Sequence, residues 1–166
     1  MNQTTFHDLY VRYAPDVYRF ALWLSGNLAE ADDITSETFV RAWAGRRQIR
    51  TETVKAYLFT IARNLFLQQQ RQQKRQVGLE QATQIAASQL PAKTVEQRQD
   101  WEQMVQQLQI LPESDRVALI LRAQYEMPYD EIARVLGISL SAAKVKVHRA
   151  RLKLTAVRAT EEITKP

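Results

Sequence analysis

Cysteine is absent from the 166 residues, glycine occurs 4 times and proline 5 times. Without cysteine there is no disulfide framework, no thiolate-ligated zinc site and no direct thiol sensor in this chain. No apolar run approaches the ~20 residues that span a bilayer. So little glycine and proline argues against a turn-rich all-β fold and for helices. The first residues, MNQTTFHDLY, have neither a basic segment nor a continuous apolar one, so a secretory signal is not expected. No phosphate-binding glycine loop, H-E-x-x-H motif or nucleophile–base set is present, and the two histidines, His7 and His148, are far apart in sequence. Neither an enzyme nor a cofactor or metal site is therefore expected. What remains is a modest basic excess, 23 Lys+Arg against 18 Asp+Glu, for a net charge of +5. Such an excess suits a polyanionic partner without identifying one.

That charge is unevenly spread. Residues 1–75 carry 11 basic and 7 acidic side chains, residues 76–103 carry 2 and 4, and residues 104–166 carry 10 and 7. Two basic modules joined by a slightly acidic connector fit this pattern. The connector is rich in Gln, Ala, Ser and Thr, contains Gly78 and Pro91, and shows no sustained apolar period. It reads as a linker over 76–100 with at most a short helical piece.

In the first module, Phe6, Leu9, Tyr13, Val17, Phe20 and Leu24 recur at helical steps, and Gly26 stands where a helix ends. Asn27 offers the next cap, and Glu30 three residues later resembles a capping box. Ala31, Ile34, Thr38 and Ala42 form the next face, with Phe39 and Trp43 beside it. A break over Gly45–Thr51 precedes a third helix with Val54, Tyr57, Leu58, Ile61 and Leu65 on one side. Its Gln, Lys and Arg continuation to Arg75 is helix-favouring. In the second module, Trp101, Met104, Val105, Leu108 and Leu111 form a face, and Pro112 and Met127-Pro128 mark breaks. Two closing segments follow, Y-D-E-I-A-R-V-L-G-I-S and L-S-A-A-K-V-K-V-H-R-A-R-L-K-L.

A short helix, a turn containing Gly137 and a helix with a basic outer face make a helix-turn-helix. Ser139 or Ser141 can cap its second helix. Ala143, Val147, Ala150 and Leu154 form the inner face. Between Lys144 and Arg158 there are six Lys or Arg and no acid. An α-helix fits the major groove, basic side chains displace counterions from phosphates, and arginine pairs bidentately with phosphate or a guanine edge. Arg149 and Arg151 suit the last role, while Val145 and His148 offer apolar or stacking contacts between the basic positions. Ser141, at the start of the helix, can touch a phosphate, and Lys146 belongs to the basic face.

The first module sets an acidic helix (Glu30, Asp32, Asp33, Glu37) beside a basic loop and helix (Arg46, Arg47, Arg50, Lys55, Arg63, Arg71, Lys74, Arg75). Internal salt bridges and two separate binding faces both fit. Asp33 and Glu37 stand at i and i+4, but no further ligand supports a metal site. Trp43, Tyr57 and Phe59 either stack on unpaired bases or serve as core aromatics.

The run A-D-D-I-T-S-E-T-F-V-R-A-W (Ala31 to Trp43), with A-Y-L-F-T-I-A-R-N (Ala56 to Asn64), resembles region 2 of bacterial sigma factors. L-P-E-S-D-R (Leu111 to Arg116), with the two closing segments, resembles their region 4. The chain is thus similar to the small extracytoplasmic-function group of the sigma-70 family. The resemblance implies an all-α protein of two small domains, region 2 over 1–75 and region 4 over 101–166, on either side of the linker. It implies promoter-specific initiation with core RNA polymerase in the bacterial cytoplasm, commonly under an anti-sigma factor and sometimes held by it at the membrane. By the same resemblance, Asp32, Asp33, Glu37 and Phe39 dock on the β′ clamp helices, and region 4 also docks on the β flap. The melted minus-10 strand falls to Arg46, Arg47, Arg50, Arg63, Asn64, Leu67, Gln68 and Arg71. The duplex minus-35 element falls to Arg122, Lys144, Val145, His148, Arg149 and Arg151, with Ser141 and Lys146 added on the grounds above. An autonomous helix-turn-helix regulator, usually dimeric, and a helical protein-binding adaptor are the rival classes.

The chain departs from the family where Ser141-Ala142-Ala143 replaces the usual Gly-Thr-Val and where Val145 replaces a common serine. A hydroxyl contact is lost and a methyl contact is gained. The linker, about 25 residues, reaches roughly 80–90 Å when extended but averages only about 25–30 Å when relaxed. Two turns of duplex cover about 70 Å. A partner must therefore hold the linker open if both modules are to read one promoter.

Overall fold

In the computed structural model, residues 5–49, 54–75 and 95–164 are described, with side chains to Thr160. All regular structure among them is helical. The helices are α1 (Phe6–Ser25), α2 (Leu28–Ala44), a single 3-10 turn (Arg46–Gln48), α3 (Val54–Arg75), α4 (Val95–Ile110), α5 (Glu113–Tyr125), α6 (Tyr129–Leu136) and α7 (Leu140–Thr164). They form two compact units, Met1–Ile85 and Ala86–Pro166. The expectation of an all-α, two-module chain is met.

In the first unit α1, α2 and α3 pack pairwise. Thr5 and Asp8 form a reciprocal capping box at the start of α1, with bonds of 3.1 and 3.2 Å, which satisfies two backbone donors at once. Gly26 ends the helix in the left-handed conformation (φ 67°), as its position in the sequence suggests. Asn27 does cap α2, accepting from the Glu30 amide at 3.0 Å. The other arm of a box is not made there, because the Asn27 amide donates to Ser25 Oγ and the Glu30 carboxylate accepts from Gln73 at the far end of α3.

Leu9, Val17, Phe20, Leu24, Ile34, Phe39, Leu58, Phe59, Ala62, Leu65 and Phe66 fill this core. The buried stripe of α3 is rotated from the expected one. Tyr57 and Ile61 are half-buried, while Phe59, Ala62 and Phe66 are inside, because α3 packs on both α1 and α2. The buried Thr35 and Thr38 hydroxyls donate to the carbonyls of Ala31 and Ile34 four residues back, so neither is left unpaired.

In the second unit α5 is the central element. Every residue from Asp115 to Leu121 is buried, since α4, α6 and α7 all pack against it. Val105, Leu108, Leu111, Ile132, Val135, Leu136, Ala143, Val147 and Ala150 close the core around it. Helix α4 starts at Val95, and its first residues belong to the stretch read as connector. The rest of that stretch, 76–94, falls outside the described residues, as does Arg50.

Candidate nucleic-acid and protein interfaces

Helices α6 and α7 form the helix-turn-helix. Gly137 closes α6 in the left-handed region (φ 66°), and the Ile138 amide reaches back to the Ala133 carbonyl at 3.0 Å. Ser139, not Ser141, caps α7, accepting from the Ala142 amide at 3.1 Å. Ala143, Val147 and Ala150 turn inward, each at most 1% exposed, and Leu154 is half-buried, as the spacing predicts. At about 100° per residue, the side of α7 opposite this seam carries Ser141, Val145, His148, Arg149 and Leu152, all exposed. Lys144 and Arg151 lie on one flank, Lys146 and Lys153 on the other.

The two flanks are tied down differently. On the first, the Arg122 guanidinium lies 4.4 Å from the centre of the Tyr129 ring and donates to the Met127 carbonyl at 3.2 Å. Lys144 Nζ lies 5.9 Å from the same ring. Tyr129, absent from the expected site, therefore gathers two cations across α5, α6 and α7. On the second flank the Asp115 carboxylate, 2% exposed, accepts from Arg149 through both oxygens, Nε to Oδ2 at 2.9 Å and Nη2 to Oδ1 at 3.0 Å. Lys146 Nζ is 3.7 Å from Oδ1 and donates to Ser114 Oγ at 3.0 Å. The hydrogen bond from Arg149, helped by both positive charges, holds the Asp115 carboxyl below the usual carboxylate range although burial opposes it. Lys146, at 20% side-chain exposure, faces α5 more than solvent. Asp115 was missed because Arg149 lies 34 positions away, and Tyr129 because no local motif joins it to Arg122 and Lys144.

In the first unit Asn64, Gln68 and Arg71 form an exposed stripe on α3, with Arg63 and Leu67 half-buried at its edge. Arg46 and Arg47 lie on the exposed 3-10 turn. Arg46 covers the Trp43 ring at 4.3 Å and donates to the Trp43 carbonyl at 2.9 Å. Of the three aromatics offered for stacking, Phe59 is fully buried against Phe20 at 4.7 Å and cannot meet a base. Trp43 is half-buried, edge-on to Phe6. The Tyr57 hydroxyl fills the space beside Gly45, where a Cβ would lie 2.6 Å from it.

Asp32, Asp33 and Glu37 are exposed along α2, and Glu37 also receives Arg41 at 3.1 Å one turn on. Phe39 does not share that surface. It is 0% exposed, with its ring 5.1 Å from that of Tyr10. It supports the acidic face from beneath, because position 39 lies on the side of α2 turned to the core. Beside the acidic edge, a groove of about 350 Å³ runs between α1 and α2, lined by Tyr10, Val11, Ala14, Pro15, Tyr18, Asp32, Thr35 and Ser36. Pro15, inside α1, has no amide hydrogen, so the usual bond from position 15 to the Val11 carbonyl is not made. Among the described residues, no group of three or more His, Asp or Glu could hold a metal ion, and no helix is long and apolar enough to cross a membrane.

Two family models match the chain, one described as Sigma-70 region 2 over residues 9–76 and one as Sigma-70, region 4 over 101–154. The chain is 31% identical over 162 residues to the RNA polymerase sigma factor YlaC of Bacillus subtilis, covering 92% of this chain and 91% of that protein. It is 36% identical over 147 residues to the ECF RNA polymerase sigma factor EcfG of Rhodopseudomonas palustris, covering 86% and 79%. Among solved structures it is similar to the sigma factor RpoE of Bartonella quintana in complex with the anti-sigma factor NepR. There the TM-score is 0.77 at 28% identity, over 93% of this chain and 96% of the other. It is also similar to CnrH in complex with the cytosolic domain of CnrY, with a TM-score of 0.72 at 25% identity over 93% and 88%.

Proposed function

This chain belongs to the sigma-70 family, in its extracytoplasmic-function group, and from that premise we propose how its two units divide the work of starting transcription. It is a sigma factor, a transcription-initiation factor that directs polymerase to promoters, and it acts in the cytoplasm by binding alone. The observation that carries the division of labour is the outer face of α7. Basic flanks there border an exposed Val145, His148 and Arg149, a surface matched to the edges and backbone of a duplex major groove.

Helix α7 enters the major groove at the minus-35 element. Ser141, Lys144, Val145, His148, Arg149 and Arg151 face the DNA, and Arg122 supports them from the Tyr129 platform. Lys146 contributes chiefly through its charge, since its ammonium is already engaged with Ser114 and Asp115. The exposed stripe of α3, Asn64, Gln68 and Arg71, takes the melted minus-10 strand with Arg46, Arg47 and Arg50. Arg63 and Leu67 border that stripe. Stacking on Trp43 requires Arg46 to swing off its ring.

Asp32, Asp33 and Glu37 present negative charge to a basic surface of core polymerase, the β′ clamp helices, with the α1–α2 groove beside them to receive an apolar side chain. Phe39 is removed from that contact set and placed beneath it. The second unit also meets the β flap. Two of the similar solved structures are complexes, one with an anti-sigma factor and one with the cytosolic domain of CnrY. We assign an inhibitor of the same kind to this chain. The test is run-off transcription with purified protein, core enzyme and promoter DNA. Specific initiation should require both proteins, and the chain alone should bind the promoter weakly. Tight sequence-specific binding by the chain without core would overturn the assignment in favour of an autonomous regulator.

A further inference from the structure

Asp115 sits in the first turn of α5, where the positive end of the helix dipole favours an anion. It is 2% exposed, yet its partner Arg149 is 58% exposed. The pair therefore has one end anchored in the core and the other on the face that meets DNA. A simple brace between α5 and α7 explains this poorly, because α7 is already seated through Ala143, Val147 and Ala150, which are at most 1% exposed. The geometry is also specific. The carboxylate takes Nε–H and one N–H of Nη2, two of the five guanidinium donors. The opposite edge, made by Nη1 and the second N–H of Nη2, stays available, and its two parallel donors match the O6 and N7 acceptors of guanine. An unheld arginine loses rotamer freedom when it binds; one whose plane is already set loses less.

We propose that Asp115 is a positioning residue for minus-35 reading, fixing the guanidinium plane of Arg149 so that its outer edge meets one base pair, while engaging Lys146 away from the phosphates. This rests on the reading of α7 as the groove helix. The two cations would otherwise add charge without sequence preference. Asp115 thus trades general affinity for discrimination, and its removal should raise binding to any duplex while blurring the site.

The experiment uses holoenzyme reconstituted from core polymerase and the full chain, on promoters in which each minus-35 base pair is replaced in turn. Arg149→Ala identifies the base pair that Arg149 reads. Asp115→Asn should flatten the preference at that same position by about 5-fold or more, leave the other positions unchanged and strengthen binding to unrelated duplex. In the Arg149→Ala background it should add nothing there. A uniform loss at all positions, or independent effects of the two changes, would show a structural brace and overturn the proposal. If Arg149→Ala changes no position, the groove reading itself has failed, a separate result. If Asp115→Asn lowers the melting temperature too far to assay, Arg149→Lys carries the test, because an ammonium keeps the charge but offers no plane to fix. Preserved discrimination with lysine would overturn the proposal equally.

Discussion

Phe39 separates a residue that touches a partner from one that holds the touching surface in place. It stands within the acidic segment proposed to meet polymerase, yet its ring is fully buried against Tyr10. Phe39→Ala removes a large core side chain, at a cost of about 3–5 kcal/mol. A unit of this size, Met1–Ile85, has in all about 4–13 kcal/mol of stability, so the alanine variant should lose a large part of it and is too severe a change to separate folding from docking. Phe39→Leu is the graded perturbation. It costs about 0.5–3 kcal/mol in all, of which about 0.5–1.5 kcal/mol is the lost edge contact with Tyr10. Each kcal/mol should lower the melting temperature by roughly 4–8 °C. Circular dichroism melts of the full chain, paired with core-binding measurements at a temperature where both proteins are folded, check this. The leucine variant should melt early and bind core normally when cold. Asp33→Arg, on the exposed face, should do the reverse, leaving the melt within about 0.5 kcal/mol of wild type and weakening core binding. A Phe39→Leu protein with an unchanged melt and lost core binding would refute the placement of this ring.

Three further outcomes follow from the second unit. Gly137→Ala meets no steric obstacle within 4 Å, so its whole cost is the left-handed backbone at φ 66°, about 1–2 kcal/mol in a urea titration; Glu126→Gly, at the unit's other left-handed position (φ 50°), should be neutral or mildly stabilising by the same measurement. Asp115 has a folded pKa held below its unfolded value of about 3.9. Its contribution is therefore fully present above that value and lost as pH falls through the folded one. The acid limb of the stability curve should accordingly flatten in Asp115→Asn, and an unaltered limb would contradict the pair.

Much of this molecule was legible in the sequence because helical periodicity and end signals are local. The inner seam of α7, the glycine stops at Gly26 and Gly137, the breaks at Pro112 and Pro128 and the division into two units all depend on residues a few positions apart. The motifs of the two regions also lie within the stretches that the two family models match. Rotations were less legible. Phe39, Tyr57 and Phe59 belong to helices packed on more than one neighbour, so a wide buried stripe admits more than one assignment from spacing alone. Longer-range pairings were not legible at all. Asp115 meets Arg149 across 34 positions, and Glu30 meets Gln73 across 43, because the packing of whole helices brings them together.

By itself, then, the sequence determined the helices, their order and the sign of charge on each face, since these follow from the chain's own period and composition. Only the tertiary structure decided which aromatic lies under the acidic face and which arginine is already held by a buried carboxylate. Burial and ion pairing are properties of the surfaces between helices, and those surfaces exist only once the helices have packed.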